Sequence, residues 1–103
     1  MVSIYKDEIK DLLYPRKGNI TRHKDLIKVE RPQSYTAGQV RKLRRFLQLS
    51  QGLFSEVMGV SLATVVAWEN GANVPSGPSC RLMDMLAMNP DILLECKVIE
   101  FKN

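Results

Sequence analysis

The sequence of 103 residues has little cysteine, histidine or aromatic content, and it has no long apolar run. Its two cysteines, Cys80 and Cys96, form no CxxC motif, and the single histidine, His23, is distant from both along the chain. A structural zinc site needs several such ligands close together, so we expect no metal and no cofactor. Charged residues interrupt residues 1–13, and no segment approaches the roughly 20 apolar residues of a membrane helix. We therefore expect a cytoplasmic protein without a membrane segment.

The positive charge is concentrated in the first half of the chain. Residues 1–45 contain twelve Lys and Arg against five Asp and Glu, whereas residues 46–103 contain three against six. This polarised distribution favours a polyanionic partner such as nucleic acid. A moderately basic protein without such a partner is the alternative.

From Thr36 onward the spacing of apolar residues predicts five helices and an all-α fold. Thr36 begins a capping box, and Ser50 and Ser61 are suited to cap the second and third helices. Pro78 suits the first position of the fourth helix, and a short fifth helix would end near Leu94. The last residues, 97–103, are compatible with either strand or coil.

Residues 1–35 have a weaker pattern and cannot form a core alone. They predict a short N-terminal helix followed by an extended, charged arm that a partner would order. The sequence therefore predicts two parts: an arm at residues 1–35 that binds a partner, and a helical domain at residues 36–103. The apolar face of the arm's helix comprises Tyr5, Ile9, Leu12 and Leu13.

Two short predicted helices flank the tripeptide Gly59-Val60-Ser61, which is the pattern of a helix-turn-helix. Gly59 allows a left-handed backbone in the turn, and Phe54 and Trp68 would pack between the helices. The outer face of the following helix carries mostly small side chains. Such a helix can enter a DNA major groove, which is about 12 Å wide.

Residues 40–86 resemble the XRE, or lambda-repressor-like, family of DNA-binding domains. Two segments, Trp68–Gly71 and Pro75–Pro78, also resemble small regulators that include the HigA-type and MqsA-type antitoxins of type II toxin–antitoxin operons. MqsA-type proteins carry an N-terminal zinc-binding domain with CxxC motifs, which this chain lacks, so the HigA-like side is favoured. The matching string consists of Leu49-Ser50-Gln51, Phe54, Gly59-Val60-Ser61, Thr64-Val65, Trp68-Glu69-Asn70-Gly71, Pro75-Ser76-Gly77-Pro78 and Arg81-Leu82.

The resemblance implies a five-helix domain that is not an enzyme and that reads double-stranded DNA. Its base-facing positions are mostly apolar here, so the helix would read thymine methyl groups and groove shape. Alternatively, Leu62 and Ala63 are helix formers or a protein-contact patch, and the basic residues merely solvate the first helix. The implied DNA-binding residues are Gln51, Ser61, Leu62, Ala63, Thr64, Ala67 and Asn70, with Arg41, Lys42 and Arg45 beside the groove.

The resemblance also implies a buried ion pair between Arg44 and Glu69 that ties the first helix to the recognition helix. A homodimer would place two such helices on a palindromic operator. The apolar residues near the C-terminus exceed what a five-helix core needs, and a tail packed on its own core is the alternative. The predicted dimerisation residues are Ile92, Leu93, Val98 and Phe101.

The leading hypothesis is an antitoxin that neutralises a small basic RNase-type toxin and represses its own operon. The apolar face of the N-terminal helix would then bind the toxin. A stand-alone repressor, whose arm follows DNA phosphates, is the second reading. A ribonuclease toxin is disfavoured because only His23 is available for acid–base chemistry and no sheet would hold a site.

Overall fold

The computed structural model describes residues 26–102. The chain divides between Glu30 and Arg31, and the unit that begins at Arg31 contains the five helices described below. Within the described residues there are five helices and no strand, which confirms the predicted all-α fold. The predicted arm helix, its toxin-binding residues and His23 lie outside the described residues. The helices are α1 (Ala37–Phe46), α2 (Gln51–Met58), α3 (Leu62–Asn70), α4 (Gly77–Met88) and α5 (Ile92–Glu95).

The first three helices start where the capping residues predict. At α1 the Gln39 backbone N–H donates to Thr36 Oγ1 at 3.2 Å, and the Thr36 N–H donates to Gln39 Oε1 at 2.8 Å. Ser50 and Ser61 each accept a first-turn backbone N–H through their side chains at 3.1 Å. These starts are determined by bonds over three residues, so local sequence suffices to locate them.

In the second half of the domain one feature differs from the expectation, and the structure decides one that the sequence leaves open. Pro78 lies at the second position of α4, because the helix already begins at Gly77. The tail forms no strand among the described residues: the N–H groups of Val98 and Ile99 both donate to the carbonyl of Leu93, at 2.8 and 3.0 Å. The chain therefore turns back on α5 rather than extending.

One apolar core draws on all five helices. Phe54, Val65 and Trp68 pack between α2 and α3, as the sequence predicts. No single helix in the described part of the chain is long and apolar enough to cross a membrane; α2 and α3 reach that length and composition only as a pair bent by 111°. The buried apolar residues are Val40, Leu43, Phe54, Met58, Val65, Trp68, Cys80, Met83, Leu86 and Leu93.

Candidate nucleic-acid interface

Helices α2 and α3 form a helix-turn-helix. The chain changes direction by 111° between them over a connection of three residues, within the range of about 90–120° that such motifs show. Gly59 ends α2 with φ +72°, a left-handed conformation that a side chain would strain. The N–H of Gly59 donates to Glu56 O, and that of Val60 donates to Ser55 O at 3.0 Å. The glycine therefore ends one helix and aims the next.

Helix α3 has one face in the core and one in solvent. Val65, Trp68 and Glu69 are buried, whereas Leu62 is 51% exposed and Ala63 is also exposed. Thr64 and Ala67 are half-buried and lie at the margins of the exposed face. Of the predicted base-facing residues, Leu62 and Ala63 are therefore the most accessible.

Sequence reasoning omitted Val66 from this face. Val66 is 38% exposed and follows Leu62 by four positions and Ala63 by three, which is the spacing of neighbours on a helix surface. The signal was therefore present, because a face that includes Leu62, Ala63 and Asn70 must also include Val66. The exposed face of α3 is more apolar than the predicted set indicated.

The polar residues at the two ends of α3 are engaged locally. Ser61 Oγ lies 2.8 Å from Thr64 Oγ1 in addition to capping the helix. Asn70 Oδ1 accepts the backbone N–H of Ala72 at 2.9 Å. This bond leaves the Asn70 side-chain amide as a donor at the end of the exposed face.

A buried carboxylate joins α3 to the first two helices. Glu69 accepts from Arg44 twice, at 2.6 Å from Nε to Oε2 and at 2.9 Å from Nη2 to Oε1. Gln51 Nε2 donates to Glu69 Oε1 at 3.2 Å. The Arg44 side chain is 15% exposed and that of Glu69 is 4% exposed. Arg44 also donates to the Leu49 carbonyl at 3.0 Å, so one guanidinium holds both α3 and the turn after α1.

The charge of Glu69 is maintained despite its burial. Burial raises the pKa of Glu69, but hydrogen bonds from Arg44 and Gln51 and the positive charges of Arg44 and Arg41 lower it, with a net shift below its ordinary value. The hydrogen bond to Glu69 raises the pKa of Arg44, against the effect of its burial. Both groups are therefore ionised at neutral pH, and the pair cancels its own charge.

Two predicted DNA-binding side chains, Arg41 and Gln51, also make contacts with Glu69. The guanidinium of half-buried Arg41 donates to the Glu69 carbonyl in the last turn of α3, where helix carbonyls lack intrahelical donors. The Gln51 amide donates to the Glu69 carboxylate, as given above. These bonds hold both side chains against α3, and each keeps further N–H groups that a phosphate could accept from.

Lys42 and Arg45 differ from Arg41, which lies on the same helix. Both side chains are exposed, and neither makes an ion pair or hydrogen bond with the described residues. Their charges are therefore available to a polyanion. The four basic residues of α1 thus separate into two that contact α3, Arg41 and Arg44, and two that face solvent, Lys42 and Arg45.

The predicted dimerisation residues fall into two groups. Leu93 differs from the expectation, because it is 5% exposed and packs in the core of its own chain; Ile92 is half-buried against that core. Val98 is 53% exposed and Phe101 is 80% exposed. The turn of α5 thus places Leu93 in the core. Of the predicted dimerisation residues, Val98 and Phe101 of the tail remain available to an interface.

Beside the tail lies a groove with a volume of about 230 Å³. Leu53 and Val57 of α2 line one side, and Val98 and Ile99 of the tail line the other. Glu56 stands among these apolar residues, is exposed, and makes no ion pair with the described residues.

No protein-family model and no curated protein matches the chain. Within residues 26–102, no group of three or more His, Cys, Asp or Glu side chains could hold a metal ion. Cys80 is buried and Cys96 is exposed, and both are free thiols. The features described above that this part of the chain offers to a partner are the exposed face of α3, two exposed cations on α1 and the apolar groove beside the tail.

Proposed function

We propose that the chain is a sequence-specific DNA-binding transcriptional regulator that places α3 in the major groove of double-stranded DNA. The observation that carries this proposal is the 111° turn between α2 and α3, combined with an outer face of α3 that has no long side chain. A helix of this kind can approach base edges closely.

The charge distribution around α3 supports a nucleic-acid partner. The one carboxylate in α3, Glu69, is buried and paired with Arg44, so the exposed face of this helix carries no negative charge. Lys42 and Arg45 supply exposed positive charge on α1. Leu62, Ala63 and Val66 would read thymine methyl groups, and the amide of Asn70 would reach a phosphate at the far end.

The direct test measures binding to duplexes selected from a random pool, by fluorescence anisotropy in a series of salt concentrations. Ala63→Glu places a carboxylate on the exposed face of α3 and is expected to lower the affinity about 100-fold, because it brings negative charge into the groove of a polyanion. Met88→Glu, at an exposed position of α4, is the matched control and should leave the affinity unchanged. Equal affinities for both variants would contradict the proposal, as would the absence of any selected sequence.

The salt series also tests the two exposed cations of α1. If Arg45 contacts a phosphate, Arg45→Ala should reduce the slope of log affinity against log salt by about 0.9. An unchanged slope would mean that Arg45 only solvates α1.

A homodimer would bind a palindromic operator with half-sites about 34 Å apart. Phe101 is apolar and exposed, and the groove between α2 and the tail is lined mostly by apolar residues. Glu56 in the groove is opposite in charge to Lys102, which follows Phe101 in the chain. In a two-fold dimer, Phe101 of each copy would enter the groove of the other, and Glu56 would pair with Lys102 of the other copy.

Analytical ultracentrifugation without DNA tests the dimer independently of DNA binding. Phe101→Ala is expected to weaken self-association about tenfold, since it removes a ring that would be buried in the dimer. Glu56→Lys should also weaken it, and Glu56→Lys combined with Lys102→Glu should restore it. A monomeric parent chain, or a double variant no tighter than Glu56→Lys, would contradict this interface.

We further propose that this regulator is a cytoplasmic antitoxin that binds a small basic RNase-type toxin. This part is supported by the resemblance of Trp68–Gly71 and Pro75–Pro78 to antitoxin sequences and by the spacing of Tyr5, Ile9, Leu12 and Leu13, which predicts an apolar helix face. The test is affinity capture from the native host with the full chain and with Ile9→Asp combined with Leu12→Asp. A small basic protein bound only by the parent chain supports the antitoxin role; its absence from both leaves a repressor without a toxin.

A further inference from the structure

A second groove lies on the side of the domain formed by α1, α4 and the segment before α1. Its volume is about 430 Å³, within the range of about 300–1,000 Å³ typical of small-molecule sites. Tyr35, Leu43, Phe46 and Ala87 supply its apolar lining. Phe46 is 59% exposed, so the ring of a large aromatic residue borders the groove without being covered.

One wall of this groove is fixed by hydrogen bonds. The Tyr35 hydroxyl donates to Asp84 Oδ1 at 2.7 Å, and the Gln33 backbone N–H donates to Asp84 Oδ2 at 2.9 Å. Burial and this hydrogen bond raise the pKa of Tyr35, so the hydroxyl remains protonated and the bond persists at neutral pH. The groove is therefore held open by anchored residues rather than by a loose segment.

Two polar side chains of the groove, Lys42 and Gln39, have donor groups that no described residue accepts from. Lys42 makes no ion pair or hydrogen bond with the described residues. Gln39 uses Oε1 to accept the Thr36 N–H, which leaves its amide N–H groups as donors. Among the described residues that line the groove, none is acidic. An ammonium and an amide beside aromatic and aliphatic walls are complementary to a carboxylate attached to an apolar body.

We propose that this groove binds a small organic monocarboxylate with an aromatic or aliphatic body. The body would lie against Phe46, Leu43 and the ring of Tyr35, and the carboxylate would accept from Lys42 and Gln39. This site is separate from the exposed face of α3, and its existence does not depend on DNA binding; Lys42 is the residue that it shares with the exposed positive charge of α1.

The test is a titration of the ¹⁵N-labelled full chain, followed by NMR amide shifts, with 4-phenylbutyrate as the probe. For a ligand of this size we expect millimolar affinity, with the shifts concentrated in residues 33–46 and around Ala87. The neutral analogue 4-phenylbutanol has the same apolar body and isolates the contribution of the carboxylate. It should bind about fivefold more weakly, as expected for a solvent-accessible ion pair.

Two variants assign the binding to the proposed contacts. Lys42→Met retains an apolar stem but removes the charge, and it should weaken 4-phenylbutyrate about fivefold while leaving 4-phenylbutanol unchanged. Lys97→Met makes the same substitution at an exposed lysine outside the groove and should change neither. Phe46→Ala should weaken both ligands because it removes the shared apolar wall.

Three results would overturn the proposal: amide shifts outside the groove, equal affinity for the acid and the alcohol, or an unchanged affinity for the acid in Lys42→Met. Because Lys42 and Phe46 are both exposed, we expect both variants to fold. Amide spectra of each variant without ligand check this.

Discussion

Two carboxylates anchor different parts of the helical domain, and they differ in burial and in the donors they accept from. Glu69 is almost fully buried and accepts from the Arg44 guanidinium and the Gln51 amide. Asp84 is half-buried and accepts from two neutral donors, the Tyr35 hydroxyl and the Gln33 backbone N–H. Removing the partner of a buried charge lowers the free energy of unfolding far more than removing the partner of a half-buried charge. We therefore expect the contacts that hold α3 to contribute more stability than those that hold the segment before α1.

The largest expected effect is that of Glu69→Gln. The substitution leaves Arg44, whose side chain is 15% exposed, without a counterion and should lower the free energy of unfolding by about 3 kcal/mol, measured by urea denaturation. Glu56→Gln is the matched control, because Glu56 is exposed, and it should change stability by less than about 0.5 kcal/mol. Similar losses at both positions would remove the distinction between buried and exposed carboxylates.

The pH dependence of stability should follow the same carboxylate. The folded-state pKa of Glu69 is below its ordinary value of 4.5, so its contribution is fully present above that pH. The contribution is lost as pH falls from that value through the folded-state pKa, because the unfolded chain binds the proton first. The parent chain should therefore lose more stability between pH 6 and acidic pH than Glu69→Gln does. Parallel profiles for the two proteins would contradict this assignment.

A smaller effect is expected at the second carboxylate. Tyr35→Phe removes the hydroxyl that donates to Asp84, at a site where water can replace it in part, and should cost about 1 kcal/mol. Because the pKa of Tyr35 is raised, its contribution is complete below the ordinary tyrosine range and is lost only as pH rises beyond it. A loss as large as that of Glu69→Gln would show that the two anchors are equivalent.

The smallest predicted effect is an increase in the free energy of unfolding, from a substitution in the turn after α1. Gln48 follows α1 with φ +60°, a left-handed conformation that costs a side chain about 1–2 kcal/mol. Gln48→Gly should therefore raise the free energy of unfolding by about 0.5–1 kcal/mol, after the larger entropy loss of glycine. Gln48→Ala is the control and should give no gain. A loss in Gln48→Gly would mean that the Gln48 side chain contributes more than its backbone costs.

The sequence was sufficient for features that depend on neighbouring residues. Thr36, Ser50 and Ser61 each cap a helix through a bond to a residue three positions away, and Gly59 and Gly71 have the left-handed backbone that ends α2 and α3. Such signals are complete within a few residues, so the all-α fold and the turn between α2 and α3 were predictable.

Contacts between distant residues were not predictable from spacing. Arg41 resembles Lys42 and Arg45 in sequence, but its reach to the Glu69 carbonyl depends on how α1 crosses the end of α3. Leu93 resembles Val98 as an apolar residue near the C-terminus, but the turn of α5 places it in the core. The bond from Tyr35 to Asp84 joins residues 49 positions apart, and no local pattern encodes it.

The central claim is that α3 enters the major groove, and the most direct measurement is an NMR titration of the full chain with a duplex selected from a random pool. The account predicts amide shifts in residues 61–70 and in the first turn of α2, with residues of α4 unaffected. The Ala63→Glu variant should abolish these shifts at equal concentrations. Binding that instead shifts α4 or the tail, with α3 unchanged, would contradict the account.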